Sequence, residues 1–171
     1  MFAKGSGTTI KAKIDAFLAC MKEKGWNIEL CETKGKYLPE GVVSRYKNVP
    51  VLWKEFIGTV RKMVCSDETE WFLCADDFDS KAHTAWQWNE WEVLSLKCAE
   101  GDAEWTNKIT DFWNNHLPIF LSVKDGYAYY AISMKDGSIV QGTEPEFEEC
   151  TLVASLFADF LEKIIRSELA L

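Results

Sequence analysis

Residues 111–149 read DFWNNHLPIFLSVKDGYAYYAISMKDGSIVQGTEPEFEE, and this stretch decides the fold. Runs of apolar and β-favouring residues cover Leu117–Val123, Tyr127–Ile132 and Ser138–Gly142. Between them the same tripeptide occurs twice, as Lys124-Asp125-Gly126 and Lys135-Asp136-Gly137. Aspartate tolerates left-handed backbone angles and glycine adopts them without steric cost, so Asp-Gly between strand-like runs signals a hairpin. The stretch predicts the end of a helix followed by a three-stranded antiparallel meander. Strict alternation places Ile119, Leu121 and Val123 on one face, with Pro118 and Phe120 on the other. A sheet apolar on both faces needs cover, which helices elsewhere supply. The expected class is α+β: a central antiparallel sheet with a meander, covered by N- and C-terminal helices.

Upstream, Thr8 or Thr9 is placed to cap a helix running to Lys24, with Ile10, Ile14, Phe17, Leu18 and Met21 in one amphipathic stripe. Gly25 stands where a C-cap glycine belongs. Trp26–Leu30 alternates like a short edge strand. Residues as far as Val49 read as irregular, with Leu38-Pro39 anchoring a loop. Pro50 opens a second helix, because the first turn needs no N–H there. Its apolar positions, Leu52, Phe56, Val60 and Met63 beside Trp53, Ile57 and Val64, carry it to Val64, and Gly58 suggests close packing. Glu70–Cys74 reads as a short buried strand. Trp86–Trp91 fits a strand by alternation and a helix by the spacing of Trp88, Trp91 and Leu94, and its type stays open. Asp102 is an N-cap for a helix striped by Trp105, Ile109, Phe112 and Trp113, which Pro118 should stop. Thr151 is placed to cap the last helix. Its two apolar columns, Leu152, Leu156, Phe160 and Ile164 beside Val153, Phe157, Leu161 and Ile165, should lie flat on the sheet.

The 171 residues fit one domain, 1–171, of which 1–7 are expected to be flexible. A chain of this size buries roughly 70% of its unfolded surface. With 47% hydrophobic residues it has the material for a core. No apolar run approaches the ~20 residues of a membrane span, and the N-terminus lacks the apolar stretch of a signal peptide. The expectation is a cytoplasmic protein. Cys20, Cys31, Cys65, Cys74, Cys98 and Cys150 form no CxxC pair, and only His83 and His116 accompany them, so no zinc spacing appears and reduced, mostly buried thiols are expected. Net charge is -8. Residues 1–62 hold 12 Lys and Arg against 6 Asp and Glu, while residues 63–171 hold 7 against 21. Nucleic-acid binding needs a basic footprint, which this balance lacks. A basic partner protein is compatible with it, as is a merely solvated acidic surface.

Little in the chain reads as catalysis. Gly5-Ser6-Gly7 follows no strand and so is no phosphate loop. His116, in Asn114-Asn115-His116-Leu117-Pro118, stands where a histidine meets the last helical carbonyls, and no nucleophile motif accompanies it. His83 lies in a polar loop. Asp76, Asp77 and Asp79 with Trp86 and Trp88 would form the cleft of a carboxylate-dependent glycoside hydrolase, yet adjacent acids are more often a solvated loop and tryptophans more often core. The same aspartates lack the glycine and distal glutamate of a calcium loop.

Leu38-Pro39, Trp53-Lys54-Glu55-Phe56-Ile57, Gly126-Tyr127-Ala128-Tyr129-Tyr130, Asp136-Gly137-Ser138-Ile139-Val140, Glu144-Pro145-Glu146-Phe147 and Ser155-Leu156-Phe157-Ala158-Asp159-Phe160-Leu161 recur in an order and spacing that resembles the SUKH superfamily, of the Smi/Knr type. The resemblance runs over most of the chain from Leu38 to Ile165. It implies helices on a central antiparallel sheet, no enzymatic activity and no cofactor. Bacterial members are largely immunity proteins that neutralise a cognate toxin, often a nuclease, and fungal members act in cell-wall regulation through protein contacts. The expected function is that of a monomeric immunity protein that binds a toxin protein and neither nucleic acid nor membrane. A general protein-interaction module of the same fold is the alternative. No catalytic, cofactor or metal residues follow from the resemblance. The expected partner-binding residues are two acidic groups, Asp76, Asp77 and Asp79 and then Glu144, Glu146, Glu148 and Glu149, with Trp86 or Trp88 as an apolar anchor.

Overall fold

The structure, a computed structural model, describes residues 5–33, 38–79 and 86–171. Helix α1 (Gly5–Glu23) leads into strand β1 (Asn27–Leu30), a short helix α2 (Glu40–Arg45) and helix α3 (Val51–Thr59). Strands β2 (Val60–Val64) and β3 (Glu70–Phe72) follow, then α4 (Glu90–Cys98) and α5 (Ala103–Asn115). The chain closes with β4 (His116–Ser122), β5 (Ala128–Ser133), β6 (Ile139–Thr143), β7 (Thr151–Ala154) and α6 (Phe157–Ile165). Among the described residues the strands form one seven-stranded sheet in the order β1-β2-β3-β4-β5-β6-β7, antiparallel throughout. The fold is α+β, and the meander expected of three strands is the rule for the whole sheet.

Two helical layers cover the two faces. Cross-strand partners Phe120 and Tyr130 point to one side. There Phe120 and Phe72 meet at 5.1 Å, Phe17 of α1 lies 5.5 Å and Phe56 of α3 lies 6.0 Å from Phe72, and Phe160 of α6 lies 5.0 Å from Tyr130. Tyr129 points to the other side, where Trp113 of α5 meets it at 4.9 Å. Each large side chain buried this way contributes roughly 1.5–3 kcal/mol. Trp91 of α4 donates its indole N–H to the carbonyl of Ala128 at 3.0 Å, fixing that helix to β5.

Several elements depart from the sequence reading, each because a tertiary partner outweighed a local pattern. The second helix ends at Thr59 and passes straight into β2, since Val60–Val64 finds partners on both β1 and β3. A Cβ on Gly58 would meet nothing within 4 Å, so no close packing depends on that glycine. Thr151 caps no helix. It pairs with Gln141 as the first residue of β7, because the open edge of β6 satisfies the backbone there, and Leu156 becomes the N-cap of α6. Leu152 and Leu156 are accordingly 68% and 55% exposed, and the buried columns shrink to Phe157, Phe160, Leu161 and Ile164. Pro118 does not stop α5, which ends at Asn115. It lies inside β4, at a register shift that places Pro118 opposite Ala131 and Phe120 opposite Tyr130. A bulge both accommodates the missing N–H and inverts the alternation. Pro118 and Phe120, expected on one face, therefore face opposite ways.

Helix α1 begins at Gly5, so Thr8 and Thr9 fall within it rather than at its cap. After Leu38-Pro39, Glu40–Arg45 form a short helix, α2, in place of the anchored loop alone. Other local readings hold. Gly25, Gly126 and Gly137 have φ of +85°, +102° and +76° where the caps and turns require them. Asp102 accepts from the backbone N–H of Trp105 at 2.9 Å as an N-cap. Asn27–Leu30 is the edge strand. Of the six cysteines, Cys65 and Cys74 are buried and Cys98 is exposed, so fewer thiols are buried than expected. His83 and Gly35 lie outside the described residues. Among the described residues no helix is long and apolar enough to cross a membrane.

Candidate partner-binding surface

The tryptophan-rich segment resolves into a turn that feeds α4. Trp86 lies on a bend, Trp88 and Asn89 form the turn, and the helix starts at Glu90. Trp86 is half-buried, with its ring 5.6 Å from Trp91 and 5.5 Å from Tyr127. Trp91 is buried and lies sandwiched between Tyr127 (4.7 Å, 15°) and Phe147 (5.5 Å, 4°). Stacked and edge-on aromatic pairs at these separations add about 0.5–1.5 kcal/mol each beyond area burial. The rings tie the start of α4 to the β4–β5 hairpin and to the β6–β7 connection. The sequence signal for Tyr127 and Phe147 was weak, since nothing local relates them to Trp91.

The acidic β6–β7 connection is held at two of its glutamates. Glu144 Oε1 accepts from the backbone N–H of Tyr127 at 2.9 Å. Glu148 Oε1 accepts from the indole N–H of Trp113 at 2.8 Å, and Glu148 is half-buried. Glu148 is therefore part of the scaffold. Glu146 and Glu149 are exposed, and among the described residues neither has an ion-pair or hydrogen-bond partner for its carboxylate. Phe147 between them is buried and pins the connection to Trp91. The outcome is a rim of carboxylates at Glu144, Glu146 and Glu149 beside the half-buried rings of Trp86 and Tyr127.

The second acidic group is built differently. Cys74 donates its backbone N–H to Asp77 Oδ2 at 2.7 Å, in a tight turn closed by Asp77 N–H to the Cys74 carbonyl. Burial raises the Asp77 carboxyl to about 6, and the Asp76 carboxylate beside it adds to the rise. Asp76 lies 3.9 Å from the guanidinium of Arg61. Asp79 is exposed, while Phe78 is buried against Trp53 at 5.9 Å and Trp88 at 5.4 Å. Trp88 also meets Tyr46, under the guanidinium of Arg45. The fold thus joins Trp86 to the 144–149 connection and Trp88 to the 76–79 turn. The two tryptophans, which were expected as alternative anchors of one surface, belong to separate ring clusters.

The described clefts include one of 520 Å³, one of 350 Å³ and one of 400 Å³, and none is lined by Asp76, Asp77, Asp79, Trp86 or Trp88. Asp67 and Glu70 line the last of them together. The Cys65 thiol and Thr69 hydroxyl donate to Asp67 and pull it down to about 2. Glu70 pairs with Lys124 at 3.3 Å. Donors committed to the ionised form of Asp67 are the opposite of what a general acid needs. The His116 Nδ1–H donates to the carbonyl of Phe112 at 2.8 Å while its ring stacks on Phe112 at 4.0 Å, the structural role expected of it. Among the described residues no group of three or more His, Cys, Asp or Glu is placed to hold a metal ion.

No family model, no curated protein and no solved structure matches this chain.

Proposed function

We propose that the protein is a non-enzymatic binding domain, a cytoplasmic immunity protein of the SUKH type that captures and neutralises a toxin with a basic surface. The observation that carries the reading is the rim of Glu144, Glu146 and Glu149 beside the half-buried rings of Trp86 and Tyr127. The resemblance of the 38–165 segment and the acidic balance of residues 63–171 support it. A nuclease must present cations to its polyanionic substrate, so an inhibitor with exposed carboxylates meets that surface with complementary charge. Aromatic rings at the centre of such a contact carry more of the affinity than the charges at its rim, which water and salt screen.

Co-purification with the product of the reading frame beside its gene tests the identity of the partner. The acidic rim is tested by Glu146→Lys with Glu149→Lys, which leaves the Trp113 and Tyr127 contacts intact. The double variant should associate more slowly with the partner and show a flatter salt dependence. An unchanged association rate across a salt series would make the connection a solvated loop.

A further inference from the structure

We propose that the outer edge of β7 is a docking strand for an extended, basic segment of the protein partner, an inference that rests on the partner-binding reading above. β7 is the last strand of the sheet, paired with β6 on one side only. Among the described residues, the side-chain ammonium of Lys163, donating to the Val153 carbonyl at 2.7 Å, is the sole group outside the sheet ladder that bonds to the β7 main chain. The remaining outward N–H and C=O groups are free to template another strand. Sheet edges are normally guarded by a charge, a proline or a cover. The opposite edge strand, β1, carries Glu29 in an ion pair with Arg61. β7 is guarded at one point, where Lys163 caps the Val153 carbonyl at a register shift; its own side chains, Thr-Leu-Val-Ala, include neither charge nor proline, and Leu152 on it is 68% exposed.

What flanks β7 says what it would take. Before its first residue comes the acidic connection, with Glu146 and Glu149 exposed. Beyond its last residue opens the 520 Å³ cleft between Pro50, Leu52, Met134, Leu156 and Phe157. Leu156 at its mouth is 55% exposed. An extended chain advances about 3.3 Å per residue, so roughly seven residues run from the carboxylates to the cleft. The matching segment carries Lys or Arg at one end, strand-forming residues in the middle and a bulky apolar side chain at the other end. Main-chain hydrogen bonds would supply affinity and the two ends would supply direction. A second copy of this chain fits less well, because its own β7 brings no cation to the carboxylates.

The test uses the full chain and two synthetic peptides. One has three basic residues followed by alternating Thr and Val and a terminal Leu; the other has the reverse order. One of the two should bind and slow hydrogen exchange at Thr151–Ala154. Methylating alternate peptide amides along one edge should weaken it about tenfold, while methylating the other edge should not, because β-augmentation uses one edge of the added strand. Leu152→Lys, at an exposed site, should also weaken it. The proposal falls if neither peptide binds, if methylating neither edge weakens binding or both edges weaken it alike, or if protection appears away from β7. It also falls if sedimentation finds a dimer that Leu152→Lys dissolves, since the occupant is then a second copy. A co-purified toxin that binds the Leu152→Lys variant unchanged would sink the docking strand and leave the partner-binding reading standing. Absence of any co-purified partner would sink that reading, while the peptides still decide the edge.

Discussion

The indole N–H of Trp113 on α5 donates to Glu148 Oε1 at 2.8 Å, joining the helical layer to the acidic connection between β6 and β7. One glutamate of the four is thereby tied into the scaffold. Glu148→Lys should destabilise the protein by about 1–3 kcal/mol, because it leaves a buried donor unsatisfied. Glu146→Lys and Glu149→Lys should each stay within about 0.5 kcal/mol of the parent. Denaturant midpoints of the three variants check this, and equal losses at all three positions would contradict it.

Phe160 is fully buried and meets Tyr130 at 5.0 Å and Phe157 at 6.1 Å. Phe160→Ala should cost about 3–5 kcal/mol, from lost transfer and the cavity left between α6 and the sheet. A loss below about 1 kcal/mol by urea titration would mean that the helix does not seal this face.

Gly142 on β6 lies opposite Tyr129 on β5, and a Cβ there would fall 2.5 Å from the Tyr129 hydroxyl and 2.6 Å from a ring carbon. That ring is clamped by Trp113, and its hydroxyl donates to the Phe147 carbonyl. It has nowhere to retreat, so Gly142→Ala should destabilise by about 1–3 kcal/mol as overpacking. Thermal unfolding of the variant gives the answer, and an unshifted midpoint would show that the ring moves freely.

Arg45 grips Glu92 with both ends of its guanidinium, at 2.6 and 2.9 Å, while its Nε–H donates to Asn114 at 2.9 Å. The pair ties α2 to α4 and α5, and Glu92 is 6% exposed. Glu92→Ala should cost about 3–5 kcal/mol, since it strands a partly buried cation. Replacing both, with Arg45→Met and Glu92→Leu, should cost far less, because the desolvation penalty vanishes with the pair. A double variant as unstable as the single one would locate the loss in packing instead.

Asp77 holds its proton up to about pH 6, against an ordinary 3.8, because burial disfavours the charge. The folded state then binds a proton more tightly than the unfolded chain between those values. The resulting stabilisation is full below the lower value and is lost as pH rises through the upper one. Two units correspond to at most about 3 kcal/mol. Asp77→Asn keeps an acceptor for the Cys74 N–H and removes the titration. Its stability relative to the parent should rise from about pH 4 to about pH 7.5. Stability curves that run parallel over that window would remove Asp77 from the account.

Local chemistry was legible in the residues alone wherever a short stretch satisfies itself. Asp102 caps α5 with its own carboxylate, and Asp136 accepts from the N–H and hydroxyl of Ser138 to close its turn. The β4–β5–β6 meander and the helical layers followed from such signals together with apolar periodicity. What distant partners decide was not legible. Thr151–Ala154 and Val60–Val64 match helical columns in sequence, yet both are strands, because a neighbouring sheet edge binds their backbone more fully than a further helical turn would. The acids Glu144, Glu146, Glu148 and Glu149 look alike in sequence. The buried indole of Trp113 holds Glu148 in the scaffold, while Glu144 accepts from the Tyr127 N–H and still stays exposed with Glu146 and Glu149. Trp86 and Trp88, two residues apart, separate into different ring clusters for the same reason: the turn before α4 points each toward whichever aromatic the tertiary fold brings within reach.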